Sequence, residues 1–457
     1  MLLEFGLGNR AAGAAPKAMR QINKNLTWFG WFAAGIGLIV LAYYAVILAW
    51  TLIYVKDSIH IAQWAQTSAN ASKHFFDEVL IRNATRNELG GFRPVLTAAL
   101  VVTWILITTG VWRVIQKFSQ AFYLTVFLPW LLLLIFIIHA ACLPGANDGL
   151  RFYLSPDWRQ LTQPQLWLAA YTQVFFSISL GFGVMIAYSS RLPHRMDSTQ
   201  SALIVCFLDS LTSFLGGLAV FGALGWMAHQ QGVSVETLLE PMRHFGLAFI
   251  AYPTLIAQLP FAPVIGTVFF TLLLLLGLDS AFSLVESFGM SLRDKWRLTT
   301  RQSSLCVALP GFLLGLPLVT GSGWYWLFTL DYFMTFFALS LVCLLQCLLV
   351  SVFYNTTRLR FRLNNGSTIR LGWWWDAAIA FVAPAILVFL LVTQLMDRIK
   401  APPEGLTRTE EFWSGWLGLL LPAIIALILW LLPEKTDEAA DDDADDVLAE
   451  INTGKNY

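Results

Sequence analysis

Residues 166–188 read LWLAAYTQVFFSISLGFGVMIAY. The stretch is long and apolar enough to cross a hydrocarbon core about 30 Å thick. Its middle nevertheless holds Gln173, Ser177, Ser179, Gly181 and Gly183. Two readings of these residues stand. Either the helix breaks there, exposing backbone carbonyls and half-helix ends that bind ions and charged substrate groups, or the small residues let a neighbouring helix pack closely. Both place the stretch inside a bundle of membrane helices.

The rest of the chain agrees. It is 57% hydrophobic with a mean hydropathy of +0.64, too apolar for a soluble domain. Ten apolar spans are predicted: Leu26–Tyr54, Val95–Trp112, Ala121–Ala140, Leu166–Tyr188, Ser201–Ala228, Ala262–Phe288, Leu305–Val319, Leu330–Phe353, Trp375–Leu395 and Phe412–Leu432. The fold class is an all-α polytopic membrane protein; a β-barrel would show short alternating segments instead. Lys and Arg crowd one set of loops (Arg10 to Lys24, Arg113 and Lys117, Arg191 and Arg195, Arg293 to Arg301, Arg358 to Arg370). The positive-inside rule puts these loops and both termini in the cytoplasm of a cell membrane. Residues 1–432 form the membrane domain, and residues 433–457 form an acidic tail without core-forming residues. Among the opposite loops, Phe245 to Tyr252 is apolar enough to predict a packed loop. Asn70 and Asn83 head two glycosylation sequons. The five cysteines, Cys142, Cys206, Cys306, Cys343 and Cys347, lack metal-finger spacing and read as small core residues. No signal peptide, nucleic-acid motif or nucleophile–base set is present, so an enzyme is not expected.

Acidic residues carry the chemistry. Asp209, Asp279 and Glu286 lie in apolar spans, and no span offers them a basic partner. A charge at mid-membrane costs at least about 2.5–3.5 kcal/mol, so a cation from solution is expected to compensate it. Asp209 and Ser213 share a helical face, four residues apart. Asp279 adjoins Ser280. Carboxylate and hydroxyl oxygens suit a hard cation such as sodium; the alternative is a neutral, hydrogen-bonded acid. For Glu286, near a span end, a hydrogen bond to a neighbouring helix is the favoured reading.

Together these pieces resemble the neurotransmitter:sodium symporter family. The matching strings are Leu3-Glu4-Phe5-Gly6-Leu7-Gly8, Ala42-Tyr43-Tyr44 with Trp50, and Leu143-Pro144-Gly145-Ala146. Others are Gln173 through Gly183, Leu211-Thr212-Ser213, Gly246-Leu247-Ala248-Phe249 with Tyr252-Pro253, and Gly277-Leu278-Asp279-Ser280. The resemblance implies an inverted-repeat transporter, with family helices three to twelve present. Residues 1–8 would be a remnant of the second helix, and residues 166–353 a complete second five-helix repeat. It implies a substrate pocket of Val40, Tyr44, Phe176, Ser179, Phe182 and Leu284, with Tyr44 holding a carboxylate and Phe176 as a lid. Ser177 and Asp209 would serve one sodium ion, and Asp279 and Ser280 another. Gln173, Ser177 and Ser213 resemble a chloride site, Asp331 an outer-gate acid and Asp294 an inner-gate acid.

There are departures. The family's first helix, which supplies ligands to both sodium ions and the substrate, has no counterpart. Asp209 stands where asparagine is usual, so its charge is expected to do what chloride does elsewhere and leave weak or no chloride dependence. Arg191 stands where a tyrosine is common, and Gln346 where an acid is common. The function implied is sodium-coupled uptake of an amino acid or related amine by alternating access. Two ions, each driven by about 2.3 kcal/mol of potential and about 1.4 kcal/mol of gradient, supply roughly 7 kcal/mol. Two alternatives accompany it. One is a chain that does not transport, through a mistaken start codon, a pseudogene or an accessory role. The other is a proton-coupled carrier using Asp209.

Overall fold

A computed structural model describes residues 1–80, 90–117, 119–192, 197–239, 245–400, 408 and 411–435, without the side chains of residues 113–126 and 414. Among these residues the regular elements are helices; the one extended pairing is an isolated bridge between Phe92 and Thr320. Asn83 and the acidic tail beyond Lys435 lie outside the described residues.

The chain opens with a short helix α1 (Leu2–Ala11) and an amphipathic α2 (Ala15–Ile22). Next comes α3 (Thr27–Asp57), which at about 1.5 Å per residue is about 46 Å long. It is apolar on all sides, as a helix surrounded by others should be, and runs through the centre of the bundle. The helices α4 (Pro94–Lys117) and α5 (Ser119–Cys142) follow. The chain then turns through 115° at the Leu143–Gly145 stretch, where Gly145 takes a φ of 84°, into α6 (Ala146–Leu154).

The segment that decided the fold is two half-helices, α7 (Pro164–Ser177) and α8 (Val184–Ser189). Between them Ser179, Gly181 and Gly183 have φ of 54°, 82° and 75°. That left-handed region is cheap for glycine and costs a serine, so the sequence breaks the helix here instead of merely packing it closely. The expected continuous span at 166–188 is therefore interrupted.

Six further spans follow, the first five being α9 (Ser198–Gln231), α10 (Ala262–Trp296), α11 (Thr300–Gly315), α12 (Gly323–Phe333) continued by α13 (Leu339–Phe353), and, after a short connecting α14 (Thr356–Asn364), α15 (Ala383–Lys400). The last is α16 (Leu417–Leu431). π-helical turns at Met334–Ala338, Ala378–Val382 and Glu411–Trp416 interrupt or lead into three of these spans. Among the described residues, eight continuous helices are long and apolar enough to cross a membrane, and the bent pair starting at Phe127 makes a ninth. The chain is thus an integral, polytopic helical membrane protein, with lipid-facing side chains such as Phe207, Leu309 and Phe381 exposed.

Loop geometry is set by local caps. Thr299 and Gln302 form a reciprocal capping box at the start of α11. Asp197 caps α9 by accepting the Gln200 N–H (2.9 Å), and also accepts the Thr368 N–H (2.6 Å) and the Ser367 hydroxyl (2.8 Å). Desolvation pushes its carboxyl pKa up, but these donors outweigh it and hold the carboxyl well below the usual carboxylate range. The expected packed loop is present as a π-turn, Leu247–Ala251, with Phe249 and Ile250 buried. The cysteine reading needs correction: Cys343 and Cys347 are buried, but Cys142 and Cys306 are exposed, because their helices turn those faces outward.

Candidate substrate and cation sites

The break in the broken span is held from below by a residue outside the predicted site. Glu4 on α1 is buried, and its Oε1 accepts the Gly181 N–H at 2.9 Å. The Gln346 amide also approaches this carboxylate, while Oε2 is buried without a hydrogen-bond partner among the described residues. An unwound turn frees backbone donors that lipid cannot satisfy, and Glu4 meets one of them. Its helix packs so closely under α8 that a Cβ on Gly8 would lie 2.1 Å from the Ile186 carbonyl oxygen. Helix α1 is therefore a structural part of the candidate site. The signal was present in the sequence: an acid inside an apolar run, in a run too short to count as a span.

The break carries one wall of the predicted pocket. The Phe176 and Phe182 rings meet edge to face, with centroids 6.1 Å apart. Phe182 and Leu284 both approach Gly37 on α3, one turn from buried Val40. Tyr44 lies one turn beyond Val40, and Ser179 sits half-buried in the break itself. The Tyr44 hydroxyl would lie 3.2 Å from a Cβ on Gly277 and lies near Ser280 and Asp279. Gly277 is thus what lets α3 and α10 approach closely enough for Tyr44 to reach the second cation pair.

The first cation pair is also joined: the Ser177 hydroxyl donates to Asp209 Oδ1 at 2.5 Å, linking α7 to α9. Of the predicted chloride set, Gln173 and Ser213 are exposed, each one turn from the Ser177–Asp209 bond, Gln173 on α7 and Ser213 on α9. Asp279 and Ser280 are exposed as well, and no hydrogen bond or ion pair to the Asp279 carboxylate occurs among the described residues. Ser283 donates to the Asp279 carbonyl (3.1 Å) and shares a 2.5 Å bond with Tyr188 of α8. A cavity of about 390 Å³ opens between α5, α9 and α10, lined by Thr212, Gly216, Leu272 and Leu276 among others. Thr212 and Leu276 are one turn along their helices from Asp209 and Asp279, but neither acid lines this cavity. The spans differ in burial: 6% of the most apolar window of α9 is buried, against 78% for the α3 span.

The expectation that no span offers a basic partner fails for Glu286. Its carboxylate is clamped by Arg191, just after α8, and by Arg293 at 2.6 Å on its own helix. Arg293 also donates to Ser303 at 2.9 Å. The hydrogen-bonded reading of Glu286 is the right one, with arginines as partners, because the helix end brings loop residues within reach. Of the gate acids, Asp294 accepts the Ala14 N–H at 2.7 Å at the start of α2. Asp331 is half-buried, facing Tyr43 and Thr335.

Residues 59–432 match the profile of the sodium:neurotransmitter symporter family. The chain belongs to that family. A sodium-dependent transporter of Methanocaldococcus jannaschii, itself described as uncharacterized, is 32% identical over 436 residues, covering 94% of this chain and 86% of that protein. The human sodium- and chloride-dependent GABA transporter 2 is 30% identical over 478 residues, covering 94% of this chain and 77% of its own length. The macaque counterpart is also 30% identical, with 94% and 76% covered. As a member of the sodium:neurotransmitter symporter family, the chain is a sodium-coupled membrane transporter and not an enzyme.

Proposed function

We propose that this symporter takes up an amino acid or a related amine by alternating access, with both termini in the cytoplasm of the cell membrane. The observation that carries this is the broken span. Its unwound turn places Ser177 on Asp209 and the two phenylalanines beside α3, so that substrate and cation groups meet at one point in mid-helix. Sodium at Ser177–Asp209 and at Asp279–Ser280 would neutralise these two acids. Substrate would then engage Tyr44 and draw Phe176 over it. GABA, an amino acid, is what two relatives are named for, and the apolar pocket wall fits an aliphatic or aromatic side chain. Asp209 supplies fixed negative charge next to the serine that the sodium and chloride sets share. This supports weak or no chloride dependence.

A specific observation favours a second reading. Among the described residues Asp209 accepts one serine hydroxyl and the Asp279 carboxylate accepts no bond, so α7, α9 and α10 supply only part of each cation's shell. In that reading the chain as it stands binds sodium weakly and does not transport until further oxygens complete the shells. Uptake of labelled amino acids into proteoliposomes, driven by an inward sodium gradient, separates the two. Uptake that vanishes without sodium and is crippled by Asp279→Ala and Tyr44→Phe supports the first. A folded protein with no sodium-dependent flux for any amino acid or amine supports the second.

A further inference from the structure

The last described residues are docked, and the place where they dock is basic. The Trp296 indole N–H donates to the Pro433 carbonyl at 3.0 Å, and the Lys435 N–H donates to the Lys295 carbonyl at 3.2 Å, both at the end of α10. Glu434 between them pairs with Arg20 of α2, a pair that is 35% and 47% exposed. On α2 the residues Ala15, Pro16, Ala18 and Met19 are buried, while Lys17 and Arg20, with Lys24 just beyond, are exposed. Residues 437–450 contain eight acids and no Lys or Arg, and residues 1–433 carry 27 basic against 20 acidic residues.

We propose that the acidic segment 437–450 seats on the exposed basic edge of α2, extending the Glu434–Arg20 pair and tying α2 to the end of α10. The occupant is this chain's own tail, on two grounds. It leaves the described structure at Lys435, already against that edge. Its fourteen residues also reach up to about 45–50 Å when extended, whereas α2 is about 12 Å long. The signs are complementary, and a run of like charges with no core of its own gains by spreading along an oppositely charged face. Asp294 grips the start of α2 from α10; the tail would grip its exposed side. The same helix would then be held twice, and its release would be sensitive to salt.

The test is hydrogen exchange of residues 15–24 in the full chain, in lipid nanodiscs with neither sodium-coupled substrate nor a sodium gradient. This readout is independent of the transport reading, and either can fail alone. One variant replaces Asp437, Glu438, Asp441, Asp442, Asp443, Asp445, Asp446 and Glu450 by their amides; a second is Arg20→Glu. At low salt both should exchange at least about fivefold faster than wild type. In 1 M salt, where screening acts over about 3 Å, wild type should exchange like the variants. Should the multiple variant not fold, Arg20→Glu and the salt response of wild type decide the matter. Unchanged exchange in the variants overturns the proposal. So does protection of α2 that is lost only when anionic lipid is removed, which would assign the basic edge to the membrane surface.

Discussion

Asp209→Asn tests the electrical role assigned to this carboxylate. Asparagine keeps the shape and can still accept the Ser177 hydroxyl, whose 2.5 Å bond marks a charge-assisted contact. Only the charge is lost. Two unit charges about 4 Å apart attract by about 1 kcal/mol in water and about 4 kcal/mol at an effective dielectric of about 20. Asp209 is half-buried, so an intermediate value of about 2 kcal/mol applies, or about a 30-fold loss of sodium affinity. Ser177→Ala keeps the charge and removes one hydrogen bond, and should cost about 1 kcal/mol or less in the same assay. The measurement is the sodium concentration for half-maximal binding or uptake, taken in sodium chloride and in sodium gluconate. Wild type should respond alike to the two salts, and Asp209→Asn should do better in chloride, which can replace the missing negative charge. A sodium requirement that moves less than twofold in Asp209→Asn refutes the reasoning, since an acid that binds no cation can be neutralised without consequence.

Three other outcomes are expected. Gly181→Ala forces a Cβ onto a residue at φ 82° and 3.2 Å from Leu339, and should lower the thermal midpoint by a cost of about 1–2 kcal/mol and weaken substrate binding with it. Glu286→Gln leaves Arg191 and Arg293 facing each other; with Glu286 11% and Arg293 17% exposed, a loss of about 2–4 kcal/mol in stability is expected, whereas Arg191→Lys, on the 46% exposed partner, should cost under about 1 kcal/mol. His74 lies outside the spans, its Nδ1 2.7 Å from Glu78 and its Nε2 3.2 Å from Asp57. Burial lowers its pKa, but the two carboxylates prevail and raise it. A raised folded pKa means stabilisation that is complete below the unfolded value of about 6.5 and is lost as pH climbs through the folded one. Exchange protection of residues 68–79 should therefore fall from pH 6 to alkaline pH, and His74→Gln should abolish that dependence.

Much of this was readable from the chain because apolar length and punctuation are local properties. Most of the helical segments follow from run length, and the glycines at 181 and 183 offered the break as one of two readings, which the fold decides. Phe245 to Tyr252 declared its burial by composition. What was not readable was contact at a distance. Glu286 has no basic residue in the predicted span 262–288, and only the fold shows that Arg293, one helix end further on, and Arg191, 95 residues earlier, close on it. Glu4 sits 177 residues from the N–H it receives, in a run that looked like a fragment. Cys306 looks like any core cysteine until its helix is placed at the periphery.

The acids deep in the helices can now be sorted by what balances them. Glu286 has two guanidinium groups, and Glu4 has a backbone N–H freed by the break. Asp331 faces the hydroxyls of Tyr43 and Thr335. For Asp209 the described protein offers one serine hydroxyl, and for Asp279 no bond to its carboxylate at all. The two acids left without compensation are the same two that the sequence motifs assign to sodium. Asp209 bonds Ser177 beside the unwound turn, and Asp279 adjoins Ser280. A bundle that sets two arginines on Glu286 and none on these carboxylates leaves them open to an ion from solution. That asymmetry is the ground on which coupling of sodium to the break is proposed.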